Sequence, residues 1–363
     1  MSLQETLKEL NRYAEISGLK INFTKTQLVW IGSMKYSQAT LCQSWNLCWG
    51  KTTFRYLGLD FNTDLTKIIK TNFEQKITEI KTLLHQLGKR NLIQIGRITV
   101  IKTFALPKLV HLFSSLPNPD EKYIQKINGI FFNFIWQKPI GKVKREVVVK
   151  DYLSGGLKMI NLKAFISALK AVWIRRVTQN DKLQNHVSSL GIDFNSLINN
   201  GTEYIENCAK ICKNIFWKNV LYAWVETLQK ETNLKWEHYL KSPLWYNKNI
   251  KINEQSVYYK SWYQQGVHII NDLLNEKGEI TTLEDFGKKF KLDIRNQVLK
   301  FNGIICSLNK YSKLFTKDEY SPLIVPYPYI PLNLEIFLKS KKGIKDIYIV
   351  LNSNSSEPTC KNK

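Results

Sequence analysis

The side chains that most often carry catalysis are sparse and badly spaced in this sequence. Two-metal phosphoryl chemistry needs paired carboxylates that hold divalent ions against attacking and leaving oxygens. No Asp-Asp pair occurs anywhere in the 363 residues, and residues 1–150 have only Asp60, Asp64 and Asp120. Asp60 and Asp64 read as strand-end and turn carboxylates. Cys208 and Cys212 could supply half of a zinc site, but their spacing is one helical turn. His186 and His238 lie more than twenty residues to either side, so helix packing is the better reading. The five histidines are isolated, no nucleophile–base pair can be drawn, and no Gly-x-x-x-x-Gly-Lys loop is present.

Cation chemistry is what remains. The chain carries 53 Lys and Arg against 30 Asp and Glu, a net charge of +23, with pI ≈ 9.6. An excess of this size favours a polyanion, through phosphate neutralisation and counterion release. Residues 1–150 hold 23 Lys and Arg against 10 Asp and Glu, so the front is about twice as basic per residue as the rest. Apolar residues make up 44% and aromatics 12%, enough for two or three folded units. The six scattered cysteines suit a reducing compartment. No secretory leader and no membrane-length apolar run is found, which points to the nucleus or cytoplasm and to no membrane partner. Lys142-Val-Lys-Arg145 is short and reads as a solvated loop rather than an import signal.

The expected fold is mainly α with a small β element. Leu3, Leu7, Leu10 and Ala14 mark one face of a helix that stops at Ser17-Gly18. β-prone runs follow at Lys20–Phe23, Gln27–Ile31 and Thr53–Phe61. So few strands imply the edge of a sheet whose central strands lie upstream. Phe73, Ile77, Ile80, Leu84 and Leu87 hold helical spacing, and Asn91–Phe104 reads as a second helix ended near Pro107. A third opens at Asn118-Pro119-Asp120-Glu121 and runs to Trp136, followed by a basic loop, Gln137–Lys150. Gly155-Gly156 marks a boundary. Beyond it helices are expected from Leu162, around 203–230, around 254–275, after a Thr281-Thr-Leu-Glu284 capping box, and over 294–308.

Three ordered motifs add a resemblance. The helix before Ser17-Gly18-Leu19, with Asn22, Lys25 and Thr26 after it, resembles the palm motif that follows the catalytic Tyr-x-Asp-Asp strand in LINE-type (non-LTR retrotransposon) reverse transcriptases. Phe54-Arg55-Tyr56-Leu57-Gly58 resembles that family's primer-grip hairpin. Such a hairpin holds sugar and phosphate with amides and an aromatic face, without reading sequence. Gly96-Arg97-Ile98, Lys102 and Leu106-Pro107 resemble the family's thumb, although Ile93 departs from its usual pattern. Looser likeness continues to about residue 310.

The resemblance implies five segments: a palm remnant with the hairpin (1–65), a basic helical thumb (66–150), helical regions at 151–240 and 241–320, and an extended, disordered tail (321–363). It implies nucleic-acid contacts at Phe54, Arg55, Tyr56, Gly58, Arg97 and Lys102, with Gly18, Asn22 and Lys25 near the nucleotide site. Of Arg97 and Lys102, one could point to phosphate and the other to solvent. Full-length relatives would use Mg2+; lacking the aspartates, this chain is expected to bind no cofactor, to hold no catalytic residue and to be inactive alone. The reading is a truncated reverse transcriptase that keeps sequence-nonspecific binding of RNA, DNA or their hybrid. Two alternatives stay open: half of an active enzyme completed by an upstream fragment, and a non-binding helical scaffold or genomic relic.

Overall fold

The computed structural model describes residues 3–23, 25–34, 37, 48–50, 52–137, 141, 143–230, 235–314, 332–338 and 343–352. These residues are mainly helical, with small two-stranded sheets, in agreement with the expected class. The chain forms two units, Met1–Val148 and Val149–Lys363.

In the first unit, α1 (Leu3–Ser17) ends where Gly18 takes φ 72°, and the Gly18 amide donates to Ala14 O at 2.9 Å. The expected strand at 20–23 is absent. Instead Asn22 closes a turn, its O accepting from the Thr26 amide at 3.0 Å and the Thr26 hydroxyl at 2.8 Å. β1 (Gln27–Leu28) pairs in parallel with β2 (Cys48–Trp49). The run expected at Thr53–Phe61 is a hairpin, β3 (Thr53–Tyr56) and β4 (Leu59–Asn62), with Tyr56 opposite Leu59.

Three helical arms follow: α2 (Ile68–Gly88), a long broken helix, and α5 (Glu121–Trp136). The broken helix consists of α3 (Gln94–Val100), a π turn (Ile101–Ala105) and α4 (Pro107–Ser115). Pro107 was expected to end it and does not. Proline lacks the N–H that would bond one turn back, and the π turn before it absorbs the missing bond, Leu106 N donating to Ile101 O at 2.8 Å. The third helix starts later than its sequence suggests, because Asp120 is extended (ψ 153°) and sits at the cap. Apolar faces of the three arms meet around Phe73, which lies 5.5 Å from Phe113 and 6.1 Å from Tyr123, ring to ring.

Short α6 (Arg145–Val149) comes next in the chain. In the second unit Gly156 is forced by space, since a Cβ there would stand 2.0 Å from Lys150 O. One core gathers α7 (Leu162–Thr178), α8 (Asp181–Ser189), α9 (Phe194–Asn199), α10 (Thr202–Ile211) and α11 (Ile215–Lys230). Another forms around Trp245 and Trp262, from α12 (Trp236–Leu240), the β5–β6 hairpin (Lys251–Ile252, Gln255–Ser256), α13 (Lys260–Gln264), α14 (Leu283–Phe290) and α15 (Val298–Tyr311). The helix expected over 254–275 is thus mostly turn, β6, one short helix and a 3-10 turn at Ile270–Leu273. The cap of α14 is Thr282, one residue later than the expected box; its hydroxyl accepts from Asp285 N at 3.2 Å.

The expected disordered tail needs correction. α16 (Leu332–Leu338) and α17 (Ile344–Asn352) pack on α7, burying Leu334, Ile347 and Leu351 in the first of these cores. Asn333 fixes this return: its amide donates to Asn200 O at 2.7 Å and Ile198 O at 3.1 Å, and its O accepts from Trp224 Nε1 at 3.1 Å. The expected extended stretch 321–331 and residues 353–363 lie outside the described residues. Among those described, no helix is long and apolar enough to cross a membrane.

Candidate nucleic-acid interface

Strand geometry decides what the β3–β4 hairpin can present. Side chains alternate between faces, so Phe54, Tyr56, Leu59 and Phe61 share one face while Arg55 and Asp60 share the other. Phe54 and Phe61 stack at 5.4 Å, and Tyr56 leans on Phe61 at 6.5 Å yet remains 61% exposed. The Arg55 side chain is 59% exposed, its Nε 3.9 Å from an Asp60 oxygen. At that separation and exposure the pair is loose, and its charge stays available to solvent partners. The turn residues Leu57 and Gly58 both have positive φ, 47° and 81°, which suits a tight two-residue hairpin. Gly58 takes this conformation without strain; Leu57 is an unusual occupant.

Two side chains that sequence reasoning passed over hold the hairpin on the helices. Asn72, buried on α2, completes the strand edge: its Oδ1 accepts from Asp60 N at 2.9 Å, and its Nδ2 donates to Asp60 O at 2.8 Å. His111 on α4 places Nε2 3.0 Å from Leu57 O at the tip. Asn72 breaks an otherwise apolar helix face beside Phe73, the one signal that could have found it. Nearby, a hydrogen bond from Lys76 holds the Glu79 carboxyl below its usual range, and the charges of Lys108 and Arg55 add to this.

Arg97 behaves differently from expectation. It is 4% exposed, with Nε donating to Leu92 O at 2.9 Å and an Nη donating to Phe134 O at 3.0 Å. Its guanidinium also lies 5.3 Å from the Phe134 ring centre. The planar fork therefore ties the start of the broken helix to the end of α5, a joint that an extended phosphate contact would have to break. The resemblance implied a phosphate contact for Arg97; the structure places its donors on these two carbonyls. Lys102 is half-buried in the π turn.

The remaining expected residues lie in the turn after α1. The Lys25 amide bonds Asn22 O at 3.1 Å and Asn22 Oδ1 at 3.2 Å, while Ser17 Oγ donates to Tyr13 O at 2.7 Å. Ser17, Gly18, Asn22 and Thr26 all take part in these local capping bonds, and the Lys25 side chain is exposed.

The carboxylates of the hairpin and the turn after it are engaged in local contacts. Asp64 caps the turn after the hairpin, accepting from Thr66 N at 3.2 Å and Thr66 Oγ1 at 2.8 Å, and Asp60 faces Arg55. Among the described residues no group of three His, Cys, Asp or Glu could hold a metal ion. Cys208 and Cys212 are half-buried against the α7–α11 core. Compared with the sequence profiles of known protein families, the chain matches none.

Proposed function

We propose that the first unit binds nucleic acid without regard to sequence, gripping sugar and phosphate through the β3–β4 hairpin. The observation that carries this reading is the hairpin itself. An exposed Arg55 and an exposed Tyr56 stand on opposite faces of a ribbon whose second strand and tip are both pinned to helices. A pinned ribbon loses little entropy on binding, and an aromatic face accepts any base or sugar. The finer identification follows the motif resemblance: a palm end, primer-grip hairpin and helical thumb of a LINE-type reverse transcriptase, without the aspartates for polymerisation. In that family Mg2+ is held by the Tyr-x-Asp-Asp strand, a motif that these 363 residues do not contain. RNA, DNA and RNA/DNA hybrids are all candidate partners.

The test is fluorescence anisotropy with a recessed 3′-end RNA/DNA hybrid and scrambled-sequence versions of it. Similar affinity for all sequences, falling steeply with salt, is expected. Sequence preference, or affinity indifferent to salt, rejects the proposal.

A second reading draws on the N-terminal segment. Leu10, Tyr13, Ile16, Leu19 and Ile31 are exposed apolar side chains, with Ile16 at 83%. A separate polypeptide carrying a Tyr-x-Asp-Asp strand could cover them and restore activity. Primer extension that appears only on adding such a fragment would favour this reading; none with any fragment would remove it.

A further inference from the structure

We propose that the corner between α10 and α11, in the second unit, docks an acidic amphipathic helix of a partner protein. α11 is buried on most of its sides, and its outer stripe runs Ile215, Lys218, Tyr222, Glu226 and Gln229 at helical spacing. On α10 the outer face ends in Asn207, Lys210 and Ile211. The two faces meet on one side of the helix pair, where Gln229 Nε2 donates to Glu206 Oε1 at 3.0 Å. That end is polar and paired: Glu206 also takes Lys248 at 2.5 Å, and Glu226 takes Lys230 at 3.0 Å. The corner end is neither. Ile211 is 79% exposed, Ile215 63% and Tyr222 40%. Residues 207–225 include Lys210, Lys213 and Lys218 and no Asp or Glu. Among the described residues none of the three lysines forms an ion pair, and Lys210 reaches only Asn207 Oδ1, at 3.4 Å.

The lysines alone suit any polyanion, and the isoleucines decide between them. A branched aliphatic side chain has no ring to stack on a base, and a sugar–phosphate chain leaves it in water. A helix with leucines along one face and carboxylates beside them buries the isoleucines and pairs the lysines in one contact. A second copy of this chain is disfavoured, because a symmetric contact sets the same three lysines against themselves. The corner is closed by its own bonds before any partner arrives. Cys212 N donates to Cys208 O at 3.0 Å, and Asn214 Oδ1 accepts from Trp217 N at 3.2 Å, so little ordering is left to be done on binding.

The test is fluorescence anisotropy on the full chain, with a synthetic helical peptide carrying leucines on one face and glutamates on the other. It should bind, and analogues with serine for leucine or glutamine for glutamate should each bind about tenfold more weakly. Ile211→Ser/Ile215→Ser should lose the same factor with the melting temperature unmoved, because both positions are exposed. Lys210→Glu/Lys213→Glu/Lys218→Glu should lose the glutamate peptide and gain a lysine-faced version of it, which an unfolded variant could not do. Absence of peptide binding overturns the proposal, and so does equal binding of the serine analogue, which marks charge alone. Weaker binding of the RNA/DNA hybrid by the isoleucine variant also overturns it, marking a nucleic-acid face. Self-association in sedimentation that the isoleucine variant abolishes overturns it as well, marking a contact between copies. The hairpin reading is judged separately, by its own hybrid assay.

Discussion

The hairpin of residues 53–62 and the broken helix of residues 94–115 each carry one arginine with aromatic residues nearby in sequence, and they use it in opposite ways. Arg55 stands exposed on a ribbon, 3.9 Å from an Asp60 oxygen and near enough to Glu79 for its charge to be felt there. Arg97 is folded inward, its donors committed to the carbonyls of Leu92 and Phe134. The difference comes from the backbone. A two-stranded ribbon leaves its faces open, whereas a helix among three packs a full stripe inward, and an arginine on that stripe must find acceptors there. A cation in a recognisable motif is therefore a contact only where the local element leaves it outside.

The comparison breaks most easily at Arg97. Arg97→Ala should cost about 3 kcal/mol of stability by leaving buried carbonyls without donors, read as a fall in the urea midpoint. Loss of binding without loss of stability would reverse the roles assigned to the two arginines.

A second buried cation sharpens the point, because lysine can shed its proton and arginine cannot. Lys170 on α7 is fully buried, 4.4 Å from the Phe216 ring centre, and burial pushes its ammonium down from 10.5 to about 7. The unfolded chain then binds more protons than the folded one between those values, so stability rises with pH through that window. Burial raises the Tyr204 phenol to about 12, which reverses the trend once unfolded tyrosines ionise above their ordinary value of 10.0. Urea unfolding should show a gain on the order of 2 kcal/mol from about pH 7 to about pH 9. Lys170→Met should abolish that gain; a rise of equal size in this variant would assign it elsewhere.

Asn72→Ala should cost about 2 kcal/mol and release the hairpin, since two of its bonds run to Asp60 and a third to Ile68 O at 2.9 Å. Fast amide exchange at Asp60 is the expected sign, and unchanged exchange would deny Asn72 its anchoring role. Tyr56→Ala is the smallest of these effects: about 1–2 kcal/mol of binding to a hybrid, with the melting temperature unmoved.

Much of this was legible beforehand, and the failures share a cause. Helical periodicity located the arms around Phe73 and Phe131 because their burial is one-sided. The β-prone run Thr53–Phe61 was legible from its residues, but its hairpin came only through the resemblance; the two left-handed residues at the turn, Leu57 and Gly58, show in the fold alone. Periodicity could not locate the π turn, which answers to a missing N–H at Pro107 rather than to hydrophobicity. Nor could it foresee the helices Leu332–Leu338 and Ile344–Asn352, whose partners on α7 lie more than 150 residues away in sequence. Asn72 and Arg97 were hidden for the same reason: their roles are set by carbonyls that only the folded chain brings near.

The most direct test pairs the two arginines in one measurement, the slope of log affinity against log salt for the RNA/DNA hybrid. Arg97→Lys keeps the charge and loses the planar fork, so the folded fraction, assayed at low temperature, should keep the wild-type slope. Arg55→Gln should lower that slope by about one. A slope that falls in the Arg97 variant and holds in the Arg55 variant would contradict the account.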